Sequence, residues 1–468
     1  MMNVKIEASN DIVVAYLNQL WAKSNNNQED ENVEEKKEEN NEANNNIVPL
    51  QEEKKEEFKK DIKTNLQALR DVGFRVYHNI GLEKEVNLNP KQVVEKDIEM
   101  VYNFKVNSYL TRKQLMTNIA RCTVFPKYKS GNKDMPNNFR YLVNHHNTIK
   151  ILDRLWVLDV INKCGQNIPD PDIFKTSLVK NFSPNIIDTA TVNTMEINSV
   201  VLLDIARAFD SLEWDVLENL MLANLTRKTN AEIAQELVSQ YIVILKNREL
   251  YYNDILISVS KGIPTGLPSS NLVFTLALEE IIYMWMNKNN YKNNREFILN
   301  VYVDDIYLKI INLIMTKEIV YGLIDILAEY KLYVNMDKSK GEYNLDLEKI
   351  PNCLKETDYY LGIPFTRNKK LYGELILKEL QYKNNGIFKN ISWNQIYDKL
   401  NDDKHDEQQS IIFGFMNYKL RPVMNTPDSS NKVILSKFIH DTYVNKNIFK
   451  RAADCIGNTL TSFFKSLF

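Results

Sequence analysis

The chain has 468 residues and 44% apolar content, enough to bury a large core in two or three globular domains. Its formal net charge of −2 hides a division. Residues 24–60 hold roughly six more acidic than basic side chains, leaving the remainder near +4, a balance that fits a local basic groove rather than a histone-like coat. No run reaches the ~18 apolar residues of a membrane span, the four cysteines lack paired spacing, and the five histidines include only the adjacent His145-His146 as neighbours. These features exclude membrane, disulfide-framework and zinc-module classes and lead to an intracellular enzyme as the expectation.

Taken in chain order, Ile12 to Trp21 is a short apolar helix candidate. Asp11 precedes it, and neither a basic n-region nor a cleavage site accompanies it, so it is not a signal peptide. Residues 24–60, dominated by Asn, Glu and Lys with almost no aromatics and no periodicity, are expected to be a disordered linker. Helical and irregular residues from 61 to about 110 follow. The apolar run Val200 to Leu203 then ends in Asp204. Asp210 and Glu213 have capping-box spacing ahead of Trp214, Leu217 and Leu220, which predicts a helix start there rather than metal ligands. Gly262, Pro264, Gly266 and Pro268 make a loop of little side-chain bulk that lets a substrate approach the backbone, and Leu272 to Met286 has a long apolar helical face.

Two strands, Phe297 to Val301 and Ile306 to Ile311, flank Tyr302-Val303-Asp304-Asp305 and place adjacent carboxylates where one strand returns into the next. Beyond about residue 372, Leu375 to Tyr382, Trp393 to Leu400, Gln408 to Leu420 and Ser429 to Phe468 have helical patterns separated by Asn, Asp and Pro turns.

Buried negative charge on strand ends costs several kcal/mol unless a cation neutralises it. Asp204 and Asp304 are therefore expected to bridge two Mg²⁺ ions about 3.5–4 Å apart, with Asp305 auxiliary, the Ile205 carbonyl completing one coordination sphere and Mn²⁺ an alternative metal. Carboxylates converging from separate strands in this way suit activation of a 3′-hydroxyl and stabilisation of leaving pyrophosphate.

The ordered segments resemble the reverse transcriptase family over roughly residues 110 to 370. Val201 to Asp215 resembles motif A and is closest in wording to non-LTR, LINE-type retroelements; Gly262 to Asn271 resembles motif B, and Tyr302 to Asp305 motif C. Tyr330 to Lys340 is similar to motif D, Tyr360 to Phe365 to motif E, and Phe125-Pro126-Lys127, Asn138-Phe139-Arg140 and Lys150 to Leu155 to the fingers motifs.

The resemblance implies an α+β right-hand polymerase: a short helix plus linker (1–60), an N-terminal extension with fingers (61–194), an antiparallel-sheet palm (195–371) with a helical fingers excursion near 216–250, and a helical thumb (372–468). It implies that Lys127 and Arg140 hold the triphosphate, aided by a basic field from Lys129, Lys133, Lys150 and Arg154. Phe209 would exclude a 2′-hydroxyl, Thr265 and Gly266 would contact the nucleotide, Lys338 would protonate pyrophosphate, and Tyr360, Leu361 and Gly362 would grip the primer. Thr265 stands where many members have Gln, and Tyr141 where Pro is common.

The implied partners are an RNA template, a DNA or RNA primer and dNTPs, with no membrane. Because no endonuclease, RNase H or zinc-knuckle segment is recognisable, the expectation is that either a separate endonuclease or recruitment protein joins that set or the protein is not a self-mobile element. A viral RNA-dependent RNA polymerase shares the palm and metal logic, but Phe209 and the wording of motif A weigh against it. A nonenzymatic nucleic-acid-binding scaffold is opposed by the three aspartates, while Thr265 keeps it open.

Overall fold

The computed structural model describes residues 6–22, 60, 100–101, 103–105, 109–117, 119–165, 168–174, 199–267, 269–342, 345–366, 368–382, 386–402, 406–424 and 431–444. The expected linker, apart from Lys60, lies outside them, as do most of 61–108, Pro268 and the tail beyond 444, whose Phe449, Lys450 and Arg451 have, from the sequence, the chemistry of a minor-groove contact or equally of packing and solvation.

Helix α1 (Asn10–Trp21) comes first, then α2 (Tyr109–Met116), β1 (Arg121–Tyr128), β2 (Phe139–Asn144) and α3 (Asn147–Cys164). After β3 (Val200–Asp204) come a short helix α4 (Ala208–Ser211), α5 (Trp214–Lys228) and α6 (Ala231–Lys246), which occupy the stretch expected to be helical near 216–250. The hairpin β4 (Glu249–Tyr252) and β5 (Ile255–Ile257) leads into α7 (Ser270–Lys288), two residues longer at each end than its apolar pattern indicated. Next are β6 (Phe297–Tyr302), β7 (Asp305–Ile310), α8 (Thr316–Glu329) and β8 (Lys340–Gly341). The hairpin β9 (Tyr359–Tyr360) and β10 (Ile363–Pro364) precedes α9 (Lys369–Tyr382), α10 (Trp393–Asn401), α11 (Glu407–Met424) and α12 (Lys432–Ile439). One sheet runs β2-β1-β4-β5 and another β6-β7-β3-β8, so the α+β expectation holds.

Two compact units result: 1–183 with 203–306 and 314–338, and 184–202 with 307–313 and 339–468. In the first, β1 buries Cys122 and Val124 on one face and exposes Arg121, Thr123 and Phe125 on the other, the alternation of a half-buried strand. Against the buried face packs α1, whose Val13, Leu17, Leu20 and Trp21 join Phe139, Tyr141, Val143, Leu250, Tyr252 and Ile257 in one core. Ser9 caps α1 by accepting from the Ile12 N–H. The β4–β5 turn, Asn253-Asp254, has φ of 47° and 65°, the left-handed pair of a type I′ hairpin.

Helix α7 is buried along most of its length and carries two acids into the core. Glu279 meets Lys228 at 2.7 Å, Asn224 at 3.1 Å and the Asp170 N–H at 3.0 Å, while Glu280 meets Arg227 at 2.7 Å. Each carboxylate thus replaces its lost hydration with protein donors.

In the second unit, α9 to α12 bury Tyr372, Ile376, Leu380, Ile396, Leu400, Met416, Leu420 and Leu435 in one cluster. Tyr307 stacks with Phe365 at 6.4 Å and meets the tilted ring of Tyr360 at 5.4 Å in a smaller one. Among the described residues, no helix is long and apolar enough to cross a membrane.

Candidate active site

Asp204 closes β3, and the chain just beyond is fixed by residues 333–335: the Ala206 N–H donates to the Tyr333 carbonyl (2.8 Å), the Asn335 N–H to the Asp204 carbonyl (2.7 Å). Ile205 faces Val334 in an antiparallel bridge whose ladder bonds fall on its neighbours, which turns the Ile205 carbonyl away from that segment.

Tyr302 ends β6 and Asp305 starts β7, leaving a two-residue turn in which Val303 has φ 57° and Asp304 is not left-handed. Positive φ at the first central residue alone is a type II′ turn. A β-branched residue rarely tolerates it, and such strain costs of order 1–3 kcal/mol. It leaves Asp304 at the tip and Asp305 one residue on, in the strand.

Burial, reinforced by the charges of Asp304 and then Asp204, pushes the Asp305 carboxyl up to about 6. Burial chiefly raises the Asp304 carboxyl too, with Asp204 adding to the shift and Arg140 and Lys338 opposing it. The three carboxylates therefore share one electrostatic site. Lys338 Nζ lies 3.4 Å from Asp204 Oδ2 on a side chain that is 67% exposed. Among the described residues no three metal-ligating side chains form a ready-made cage. The donor chemistry still fits a hard cation: carboxylate oxygens coupled closely enough to disfavour their shared ionisation, and a carbonyl directed away from its ladder.

A cleft of about 590 Å³ opens beside these acids, lined by Asp204, Ile205, Asp304, Phe209, Thr265, Gly266 and Lys338 and, from the β1–β2 region, by Lys129 and Arg140. Arg140 and Lys127 are register partners on the antiparallel pair β1–β2, placing like charges side by side, an arrangement that costs stability without an anion between them. Of the two, Arg140 lines the cleft and Lys127 does not; Lys129, two residues on, takes that place. Burial, then Arg140, with Arg207 and Lys338 adding smaller contributions, lowers the proton affinity of Lys129, so these cations crowd one another. Two members of the expected basic field are not on the surface. Lys150 and Arg154 are 4% and 6% exposed on α3, where Lys150 donates to Asn144 at 2.9 Å.

Phe209 lines the cleft while its ring packs against Phe274 of α7 at 5.1 Å. The expected capping box does not form: Glu213 is the N-cap residue of α5 but makes no side-chain cap bond, and Asp210 lies in α4, where it accepts from Trp21 Nε1 at 2.8 Å. The spacing was right for a cap, but the indole of α1 competes for the carboxylate.

Thr265 Oγ1 donates to the Tyr141 carbonyl at 2.8 Å and the Thr265 carbonyl accepts from the Val143 N–H at 3.1 Å, so this loop is stitched to β2. Gly266, at φ +121°, has the Val143 carbonyl 2.8 Å from where a Cβ would stand. The protein's own strand thus approaches this glycine closely, and Gly266 also lines the cleft. At the start of α7, Ser269 donates its N–H (2.9 Å) and hydroxyl to Asp153, whose burial pushes its carboxyl up to about 7.

Within the second unit, Leu361 and Gly362 form a type I′ turn with φ of 50° and 75°. Tyr418 Oη donates to the Leu361 carbonyl at 3.0 Å and Lys419 Nζ to that of Gly362, while Tyr360 is buried against Tyr307. Tyr16 and Arg207 also line the cleft, with Trp21 bonded to Asp210 behind them, and none of the three was assigned to it from the sequence, whereas Lys129 was expected there as part of the basic field. Basic character alone pointed to Lys129 and Arg207, and nothing local pointed to α1.

No curated protein matches the chain. Residues 129–365 match the family model described as reverse transcriptase (RNA-dependent DNA polymerase). That span covers just over half of the 468 residues and contains the aspartate hairpin, Arg140 and the Gly266 loop, so the chain belongs to the reverse transcriptase family and has its right-hand polymerase fold.

Proposed function

We propose that the protein is an RNA-directed DNA polymerase that extends a primer with dNTPs by two-metal nucleotidyl transfer, on an RNA template, with motif A wording favouring a non-LTR relative. The observation that carries this reading is one cleft lined both by the acids Asp204 and Asp304 and by the cations Arg140 and Lys129. Residues 61–194 would serve as fingers, 195–371 as palm and 372–468 as thumb.

Divalent cations held by Asp204, Asp304, Asp305 and the Ile205 carbonyl would lower the pKa of the primer 3′-hydroxyl and neutralise charge on the phosphates. The 3′-oxygen attacks the α-phosphorus, the bond to pyrophosphate breaks, and the hydroxyl proton leaves to solvent. Arg140 and Lys129, with Lys127 beside them, bind the triphosphate and offset charge building on the leaving group. Lys338, on an exposed side chain near Asp204, serves as the acid that delivers a proton to a pyrophosphate oxygen. Phe209 fills the space beside the sugar, held in place by Phe274. Thr265 keeps the loop on β2. The Leu361-Gly362 turn braces the primer end.

Primer extension on RNA and DNA templates, with dNTPs and rNTPs in parallel, tests the proposal. Incorporation of dNTPs on RNA is expected; preference for rNTPs would favour the RNA polymerase alternative, and no incorporation in any combination would reject the activity.

A further inference from the structure

Helix α1 lies far upstream of the matched family region, yet it reaches the cleft. Tyr16 and Leu20 line it directly. The helix is fastened from end to end: Asn10 Oδ1 accepts from Asn253 at 2.9 Å, Asn18 Oδ1 from the Ser258 N–H at 2.8 Å, and the Trp21 carbonyl from the N–H groups of Ser260 (2.8 Å) and Lys261 (3.1 Å). Trp21 adds the bond to Asp210, and its Cδ1 lies 3.3 Å from where a Cβ on Gly262 would stand. So docked, α1 presents the Tyr16 ring to Arg207, whose guanidinium carbon sits 5.5 Å from the ring centroid. Arg207 is exposed, lines the same cleft and occupies the left-handed region at φ 50°, a backbone conformation that costs about 1 kcal/mol for a side chain of its kind.

We propose that Arg207, oriented by Tyr16, is a polyphosphate-binding residue for the incoming nucleotide, which makes α1 a wall of the nucleotide site. This inference rests on the polymerase reading for its ligand. The charge pattern favours a polyanion over a base: Arg207, Arg140, Lys129 and Lys338 line one cleft, and on Lys129, whose proton affinity burial lowers most, Arg140, Arg207 and Lys338 act in the same direction while Asp210 opposes them. A triphosphate relieves that crowding, and a guanidinium held by an aromatic face loses less freedom on binding it. Tyr16 acts through Arg207 and is a positioning residue.

Calorimetric binding of inorganic tripolyphosphate and steady-state dNTP kinetics on a fixed primer–template test this. Arg207→Asn, which tolerates the left-handed backbone, is expected to weaken tripolyphosphate binding and raise the KM for dNTP by about tenfold or more, with a smaller change in kcat. Arg207→Lys should recover part of the loss. Tyr16→Ala should raise KM by roughly threefold to tenfold, Tyr16→Phe should recover most of that, and Tyr16→Ala combined with Arg207→Asn should lose less than the product of the two. Unchanged tripolyphosphate affinity in Arg207→Asn, or additive effects in the double variant, would overturn the inference. So would weaker primer–template binding with an unchanged KM, which would move Arg207 to nucleic acid. If the wild-type protein extends no primer, the polymerase reading fails, and the tripolyphosphate titration still judges Arg207 by itself.

Discussion

Two acidic clusters in the first unit differ in how their charge is met. Glu279 and Glu280 on α7 are almost fully buried and closed by Lys228, Arg227, Asn224 and a backbone N–H within 3.1 Å. Asp204, Asp304 and Asp305 are less buried and sit at strand ends beside a strained Val303, and the lysine paired with Asp204, Lys338 at 3.4 Å, is mostly exposed. Burial first, and then repulsion among these acids, raises the carboxyls of Asp304 and Asp305. Acid that the fold neutralises itself serves the fold; acid left under-neutralised in a solvent-reaching cleft is available to a ligand.

Substitution should separate the two most sharply in opposite assays. Asp204→Asn or Asp304→Asn keeps side-chain shape while removing a charge needed for cation binding, and should cut primer extension at least about a thousandfold with the thermal midpoint held or raised. Near-normal incorporation by both variants would remove the proposed centre. Glu279→Ala should do the reverse, destabilising by about 3–5 kcal/mol because it strands the Lys228 ammonium among buried groups. A urea midpoint equal to that of wild type would show the α7 acids to be as uncompensated as the aspartates.

How much of this contrast the sequence disclosed depends on the range of the interactions. The end of β3 at Asp204, the hairpin at Asp304 and the glycine at 266 follow from local patterns, a run of apolar residues closed by turn chemistry, and they stand where those patterns put them. The bond from Trp21 to Asp210 spans 189 positions and the one from Thr265 to Tyr141 spans 124, so no periodicity foretells them. That is why the capping box failed and why Gly266 turned out to accommodate Val143. Choosing between Lys127 and Lys129 depends on where β1 ends, the least legible feature of any strand. The burial of Lys150 and Arg154 likewise depends on which face α3 turns inward, and α3 is apolar on several sides.

Phe209 belongs to both regions, since its ring faces the cleft and rests on Phe274 of the buried helix. Phe209→Val and Phe209→Ala should therefore blur the distinction, improving rNTP use relative to dNTP use by about tenfold through added pocket volume while lowering stability through lost packing. Measuring the ratio of kcat/KM for the two nucleotide types beside a thermal melt resolves the two effects. A change in stability with no change in that ratio would make Phe209 a core residue only.

The smallest expected effect is one of pH, and it concerns Asp305. Its folded carboxyl is raised to about 6, above the ~3.9 of an unfolded aspartate. Between those values the folded chain holds a proton that the unfolded chain has released, so the contribution to stability is fullest below about pH 4 and is lost as pH rises through about 6. Metal-free protein should show this in its thermal midpoint from pH 4 to 7, measured against Asp305→Asn, which lacks the titrating group. A cation reverses the preference, because it binds the ionised carboxylate and competes with the proton. The Mg²⁺ concentration needed for half-maximal stabilisation should accordingly climb as pH falls below about 6, and less steeply in Asp305→Asn. If the two proteins share one pH profile with and without Mg²⁺, Asp305 is neither raised by its neighbours nor near the cation. Glu279→Gln, a change at an acid closed by the protein's own donors, should leave the wild-type Mg²⁺ dependence intact, which completes the distinction between the two clusters.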